Sequence, residues 1–238
     1  MIKINKKFYY PTSTRKIIDG KRHYLVGEEK LPSVTSILAA CQSEEKKQKL
    51  AEWRAREGEA NAQRIMENAA SRGTLMHSVL EGHLLNRPVV DLTPEGQLAT
   101  NMAKQIVDQG LTNKLQELWA AECVLFYPDM YAGACDGVGI YEDKEAIIDF
   151  KQTNKPKRKE WIEDYFLQLA GYAIAHNQIY QTNIQFGIIL MCSKDLFYQE
   201  FRVEGEEFRH YANEWWKKVD QYYKQKKEWE ELVDRAGM

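Results

Sequence analysis

Two aspartates and a lysine define the chemistry this chain can perform. Asp136, Asp149 and Lys151 fall in residues 131–151, which read Y-A-G-A-C-D-G-V-G-I-Y-E-D-K-E-A-I-I-D-F-K. The stretch reads as two short strands joined by a polar turn at Glu142-Asp143-Lys144, with Asp136 inside the first and Asp149 near the end of the second. Side chains on a strand alternate between faces, so Asp149 and Lys151 share one face and Phe150 takes the other. Ile147-Ile148 is apolar on both faces, as a central strand is, and charge begins abruptly at its carboxyl end, where chemistry tends to sit. A hard cation such as Mg²⁺ takes oxygen ligands, commonly one or two carboxylates with water and substrate phosphate. Asp136 and Asp149 can supply the carboxylates, and the Phe150 backbone carbonyl a further oxygen. Lys151 then faces the same pocket, able to orient or deprotonate a water or to neutralise charge on a phosphate. The structural alternative is a buried Asp–Lys ion pair that caps the strand.

The wider pattern resembles a known family. G-A-C-D, thirteen residues to D-F-K, then Gln168 and Tyr172 in Y-F-L-Q-L-A-G-Y, with His77 upstream in R-G-T-L-M-H, resembles the PD-(D/E)XK nuclease superfamily in its RecB-like exonuclease branch. Within that branch, R-G-T-L-M-H-S-V-L-E and the earlier P-S-V-T-S-I-L look most like the mitochondrial genome maintenance exonucleases and their phage relatives, over residues 31–203. The resemblance implies His77, Asp136 and Asp149 as metal ligands and Lys151 as the catalytic lysine. It implies that Gln168 and Tyr172 support the site and contact DNA. It also implies a restriction-endonuclease-like α/β core, a small mixed central sheet flanked by helices, and Mg²⁺ as cofactor with Mn²⁺ as a substitute. The activity implied is exonucleolytic hydrolysis of DNA, single-stranded by preference, leaving 5′-phosphate products. Two rivals stand beside it: a duplex or structure-specific endonuclease of the same superfamily, and a non-catalytic DNA-binding module that kept the fold. Some RecB-like nucleases hold an iron–sulfur cluster on four grouped cysteines. Cys41, Cys123, Cys135 and Cys192 are scattered with no C-x-x-C pair, so no cluster is expected.

The elements that must position these groups can be read in chain order. Residues 1–30 form an appendage, with a hairpin expected between the aromatic and β-branched runs 7–10 and 22–26 around a loop with Asp19-Gly20. Ser33 is placed to cap a helix over residues 34–40. By resemblance this segment lies close to the DNA path, which makes Ser33 and Thr35 secondary candidates for a phosphate contact. Residues 44–70 are rich in helix formers, with Leu50, Trp53, Ala60, Ile65 and Met66 as candidate buried positions. Arg72-Gly73-Thr74 interrupts the helical pattern, residues 75–85 resume it, and Arg72 is a candidate phosphate contact. His77 and Glu81 are one turn apart on a common face, so Glu81 can orient the imidazole from behind. Thr93-Pro94 starts a further helix whose apolar positions include Leu98, Met102 and Ile106, continuing after a glycine break through Leu111, Leu115 and Leu118. Residues 34–118 therefore read as a helical lobe.

The sheet is expected to begin with residues 121–127, where Glu122 and Val124 take one face and Cys123 and Leu125 the other. Glu122 is an acid within an apolar strand, so it calls for a cation nearby and is a candidate for a further metal position. After Lys151 come Lys155, Lys157, Arg158 and Lys159, candidate contacts to the DNA backbone. A helix over 161–178 carries Gln168 and Tyr172 one turn apart, and two strands follow at 184–192 and 196–203. Residues 206–235 form an amphipathic helix with Phe208, Tyr211, Trp215, Val219, Tyr222, Trp229 and Val233 near one stripe.

The chain of 238 residues suits a single nuclease domain: appendage 1–30, helical lobe 34–118, catalytic sheet and Q-x-x-x-Y helix 119–203, and C-terminal helix 206–235. A formal net charge of −2 excludes a basic field over the whole surface, so a DNA site must be a local basic lining. No segment approaches a membrane span and the first residues lack a secretory apolar core, so a cytoplasmic protein is expected, in the host cytoplasm were it phage-encoded. DNA is the expected partner, with no membrane and no protein partner indicated.

Overall fold

The structure, a computed structural model, describes residues 2–236, with side chains through residue 228. Its elements begin with strands β1 (Lys3–Ile4), β2 (Ser13–Ile18), β3 (Lys21–Val26) and β4 (Glu29–Pro32), then helices α1 (Val34–Ala40), α2 (Glu44–Glu57), α3 (Glu59–Leu84) and α4 (Pro94–Ile106). Strands β5 (Leu115–Tyr127), β6 (Tyr131–Tyr141) and β7 (Lys144–Thr153) follow, then α5 (Glu163–Tyr180), β8 (Phe186–Ser193), β9 (Tyr198–Glu204) and α6 (Gly205–Ala236). The fold is mixed α/β. Six strands form one sheet in the order β1-β5-β6-β7-β8-β9, and β2-β3-β4 form a small antiparallel sheet beside it. Within the large sheet β5–β6, β6–β7 and β8–β9 are antiparallel, whereas β1–β5 and β7–β8 are parallel.

Every residue of β8 is buried, which is why F-G-I-I-L-M-C-S carries no charge. One face of the sheet packs on α3 and α4 through Met76, Leu80, Met102 and Ile106 against Ile148, Phe150, Ile188 and Leu190. The other face packs on α1, α5 and α6. The β6–β7 turn at Glu142-Asp143 has φ of 45° and 64°, the left-handed pair that a two-residue hairpin requires. Ser33 caps α1, its hydroxyl accepting the Ser36 N–H at 3.0 Å, and Thr93 caps α4 in the same manner. Along α6, Phe208, Trp215, Val219 and Tyr222 are buried; Trp229 and Val233 lie outside the described side chains.

Four expectations are corrected. The partner of β3 across Asp19-Gly20 is Ser13–Ile18, not residues 7–10. Residues 7–10 are aromatic because Phe8 and Tyr10 pack as rings, with Phe8 centred 5.3 Å from Trp119 and 4.9 Å from Tyr180. Helix α2 buries nothing: Leu50 and, at the start of α3, Met66 are both 41% exposed, Ala60 is exposed, and Trp53 and Ile65 are half-buried. Ion pairs such as Lys47–Glu44 and Lys49–Glu45, three and four residues apart, support it in place of a buried face. Helix α3 runs unbroken through Arg72-Gly73-Thr74. Gly73 packs beside β7, where a Cβ would make only an ordinary 3.4 Å contact with Gln152 Cγ.

The fourth correction concerns the lobe, which ends before Leu115. Leu115 and Leu118 belong to β5, where register shifts after each of them disturb the two-residue alternation. A bulged strand brings apolar residues three apart onto one face, which imitates a helix in sequence. The bulge also sets the Glu117 carbonyl over Gly139, so a Cβ at Gly139 would collide with backbone, while one at Gly137 would make only an ordinary 3.5 Å contact with Ile148. Gly139→Ala is therefore expected to lower the urea midpoint by the equivalent of about 1–3 kcal/mol. Gly137→Ala should have the smaller effect; equal losses in the two variants would refute this account of the bulge.

Candidate active site

The site lies where two strands part. The β6–β7 ladder runs from the turn to Gly137 and Ile148 and goes no further, while β7 continues paired to β8 through Thr153 and β6 continues paired to β5 through Tyr131. At the point of parting the Asp136 side chain replaces the missing ladder bond: its Oδ2 accepts the Phe150 N–H at 2.6 Å. Asp149 and Lys151 line the opening from β7, and Asp136 lines it from β6. The register of Ala121 with Gly137 and Cys123 with Cys135 sets Glu122 opposite Asp136 across β5–β6. Glu122 has φ 48°, a left-handed conformation a glutamate rarely adopts. The twist puts Ala121 and Cys123 into cores on opposite faces of the sheet and leaves the Glu122 side chain exposed at the cleft. Val124 pairs with Ala134, two residues from Asp136 on β6, so Glu122 and Val124 share a face as expected, whereas the expected burial of Glu122 fails.

His77 closes the cluster from α3. Its Nε2 is 3.0 Å from the Phe150 carbonyl, and Nδ1 is 3.3 Å from Asp136 Oδ1 and 3.6 Å from Glu122 Oε1. A carbonyl can only accept, so Nε2 donates. A neutral ring would then turn the lone pair of Nδ1 toward two carboxylates, an arrangement that requires a cation, either a proton or a metal. Burial alone lowers the His77 pKa, but Asp136 and then Glu122 outweigh it and hold the imidazolium up to about 10. His77, Glu122 and Asp136 each offer a ligand atom within 4.8 Å of the others, a donor set fitted to a divalent ion.

Asp149 stands just outside that triad. Asp149 is 1% exposed, and Lys151 Nζ lies 2.5 Å from its Oδ2 in a buried ion pair. Burial pushes Asp149 up to about 6 despite Lys151, while Asp136, also buried, is brought below its usual range by His77 and Lys151. Burial would lower Lys151, yet Asp149 and Asp136 raise it, and its ammonium sits 4.9 Å over the Tyr165 ring. A buried carboxylate is costly unless a cation meets it, and Lys151 is that cation for Asp149.

Gln168 and Tyr172 reach the same cleft from α5, with Gln168 Nε2 donating to the Tyr172 hydroxyl at 2.8 Å. Gly133 makes room for that ring: a Cβ on it would lie 2.6 Å from Tyr172 Cε1. Ser33, Thr35 and Glu81 line the cleft too, although both ring nitrogens of His77 are taken by groups other than Glu81. Arg72 is elsewhere. Its guanidinium is buried and tied to Gln152 at 3.0 Å, to Glu95 at 3.2 Å and to Asn154, so it straps α3 to the end of β7 instead of meeting a phosphate. Lys155, Lys157, Arg158 and Lys159 are absent from the lining; Lys159 pairs with Glu207 at 2.6 Å and Arg158 packs on Trp161. Arg15, Arg22 and Tyr24 of the small sheet do line the cleft, and sequence reasoning missed them by treating residues 1–30 as an appendage.

The raised pKa of His77 carries a stability consequence for protein held in a chelator. Because the folded state binds the proton more tightly, its contribution is full below about pH 6.5 and is lost as pH rises toward about 10. The urea midpoint is expected to fall across that window, and His77→Gln to flatten the fall. An identical fall in the variant would refute the assignment.

Comparison with known proteins bears on the chain as a whole. No protein-family model matches the chain. By sequence it is 25% identical over 209 residues to mitochondrial genome maintenance exonuclease 1 of Homo sapiens, covering 83% of this chain and 59% of that protein. The Xenopus tropicalis protein of the same name is 29% identical over 214 residues, again covering 83% and 59%. The chain thus spans about three fifths of the length of these relatives. Among solved structures, that of LHK-Exo in complex with dAMP aligns at 13% identity and TM-score 0.37, covering 69% of this chain and 84% of that one. The relatives found by sequence are exonucleases of the kind that the ordered motifs resemble.

Proposed function

We propose that the protein is a divalent-metal-dependent DNA exonuclease, with Mg²⁺ as its ion, acting on single strands by preference and leaving 5′-phosphate ends. The observation that carries this reading is the fork itself. Two carboxylates stand opposite each other around a histidine nitrogen, beside a buried aspartate–lysine pair. The sequence relatives named as exonucleases support it.

In this reading His77, Glu122 and Asp136 hold the ion, with Asp149 Oδ2 turned toward the same opening. A bound divalent ion makes water a stronger nucleophile and neutralises charge on the phosphate oxygens. The chain's own groups do the rest. The Phe150 N–H fixes Asp136, and the Phe150 carbonyl fixes His77, so two ligands are oriented by one peptide segment of β7. The Lys151 ammonium, held between Asp149 and the Tyr165 ring, faces the cleft and neutralises charge that develops on the phosphate under attack. Tyr172 and Gln168 present an aromatic edge and an amide to the nucleotide beside it.

The test is degradation of single-stranded and duplex DNA labelled separately at each end, with Mg²⁺ or EDTA. Release of short products only with the metal is expected, and circular single strands should be spared. Lys151→Ala should slow the reaction by about 10²–10³-fold. Gly133→Ala, which crowds Tyr172 without altering a charge, should slow it by up to about 10²-fold. Tight DNA binding without cleavage in either Mg²⁺ or Mn²⁺ would sink the enzyme reading.

A further inference from the structure

The small sheet forms one wall of the cleft, and its contribution is cationic. In the β2–β3 register Arg15 faces Tyr24, and Ile17 faces Arg22. Directly opposed residues share a face, as do residues two apart on one strand, so Arg15, Arg22 and Tyr24 project together. All three line the cleft. Farther along the same face, Tyr24, Val26 and Leu31 are buried against Ala132 of β6, which docks the small sheet on the large one. Arg22 is also anchored through its backbone: its carbonyl accepts the Ser33 N–H and the Ser36 hydroxyl, each at 2.9 Å. That places it beside Ser33 and Thr35 on the rim of the same opening.

These two guanidiniums are uncommitted. Elsewhere Arg54 pairs with Glu59, Arg72 with Glu95, and Arg202 with Glu142 and Glu200. Among the described residues no ion pair or side-chain hydrogen bond engages Arg15 or Arg22, and both are exposed. The same cleft is lined by Glu81, Glu122, Asp136 and Asp149. A polyanion entering such a cleft meets repulsion from the acids unless cations stand along its path. The chain has 33 basic residues against 35 acidic ones, so those cations must be local.

We infer that Arg15 and Arg22 form a phosphate clamp, holding backbone phosphates of the substrate strand next to the phosphodiester at the metal centre. The inference rests on the nuclease reading. As a diagonal pair across two strands, their Cβ atoms are about 7–8 Å apart, so each guanidinium takes its own phosphate. The planar fork of arginine suits a phosphate in two-point contact, and the rigid sheet limits the entropy lost on binding. The clamp fixes which segment of the strand reaches Lys151. The cation run 155–159, outside the lining, is relieved of that task.

The experiment is binding of a labelled 20-nucleotide oligothymidine across a range of NaCl concentrations, in the Lys151→Ala background with Ca²⁺ to prevent turnover. It is paired with steady-state cleavage of the same oligonucleotide in protein that retains Lys151. Arg15→Gln/Arg22→Gln is expected to lower the slope of log affinity against log salt by about 1.4, or about 0.7 per lost phosphate contact. Its KM should rise at least about tenfold at low salt, in excess of any change in kcat. Arg15→Lys/Arg22→Lys should recover most of the slope. An unchanged slope and KM in a native protein that degrades DNA would overturn the clamp alone. A lowered slope that the lysine variant does not recover would mark a disturbed sheet and also overturn it. A native protein that neither binds nor cleaves DNA would overturn the nuclease reading, and the clamp with it.

Discussion

The hydrogen bond from the Phe150 N–H to Asp136 Oδ2 is the constraint on which the candidate site depends. Sheets satisfy backbone donors with neighbouring carbonyls, and an unpaired N–H inside the core is costly. Here β6 and β7 part after Gly137 and Ile148, which strands the N–H of Phe150 in a buried position. A carboxylate from the departing strand meets it. The strands are thereby allowed to diverge, and the wedge between them becomes the cleft. Asp136 acts as the hinge pin of the fork and presents its other oxygen to His77. The opposite end of the same peptide segment, the Phe150 carbonyl, holds His77 in turn.

That geometry concentrates negative charge in a place where water cannot fully screen it. Asp136 and Asp149 are buried, and Glu122 stands opposite Asp136, a placement that destabilises a sheet when both carry charge. The chain's own cations answer part of this. Lys151 meets Asp149, and His77 takes up a proton shared toward Asp136 and Glu122. Both are replaceable by a divalent ion in the sense that matters: the site needs positive charge, and the donor set is of oxygen with one imidazole. Strain points the same way, since Glu122 is held in a left-handed conformation that a bulged strand would adopt more readily with glycine. A glutamate kept there despite the cost suits a carboxylate aimed at a cation.

The legibility of this arrangement in the sequence was uneven for physical reasons. Asp149, Phe150 and Lys151 could be placed because β7 is a regular strand, and a regular strand has a two-residue period. Asp136 could be matched to them because a two-residue turn joins β6 to β7. Glu122 could be suspected and given a face, but its exposure could not be read, because that depends on the cleft opening beside β5. The register shifts of β5 made Leu115 and Leu118 look helical. Arg72 was misread because a buried arginine and a phosphate-binding arginine have the same one-letter code, and its partners Gln152, Asn154 and Glu95 lie far away in sequence. Arg15, Arg22 and Tyr24 were missed since nothing local says that a small sheet folds back over a site formed more than a hundred residues later. The alternation in K-R-H-Y-L-V was visible; what it faced was not.

The placement of charge also makes an overall acidic protein compatible with the polyanionic substrate proposed for it. Helix α2 and the first turns of α3 carry many cations, but several are spent on neighbouring acids, as Lys47 is on Glu44 and Arg54 on Glu59. In the run after β7, Lys159 and Arg158 are diverted to Glu207 and Trp161, and the whole run lies outside the cleft lining. Cationic charge left free to meet a phosphate therefore depends less on how many basic residues a segment holds than on whether acids stand beside them in the fold. By that measure the two arginines of the small sheet outweigh the denser runs. The arginines and the acidic cluster line one opening, an arrangement that under the proposed reading suits a phosphate backbone at the arginines and a divalent ion at the acids.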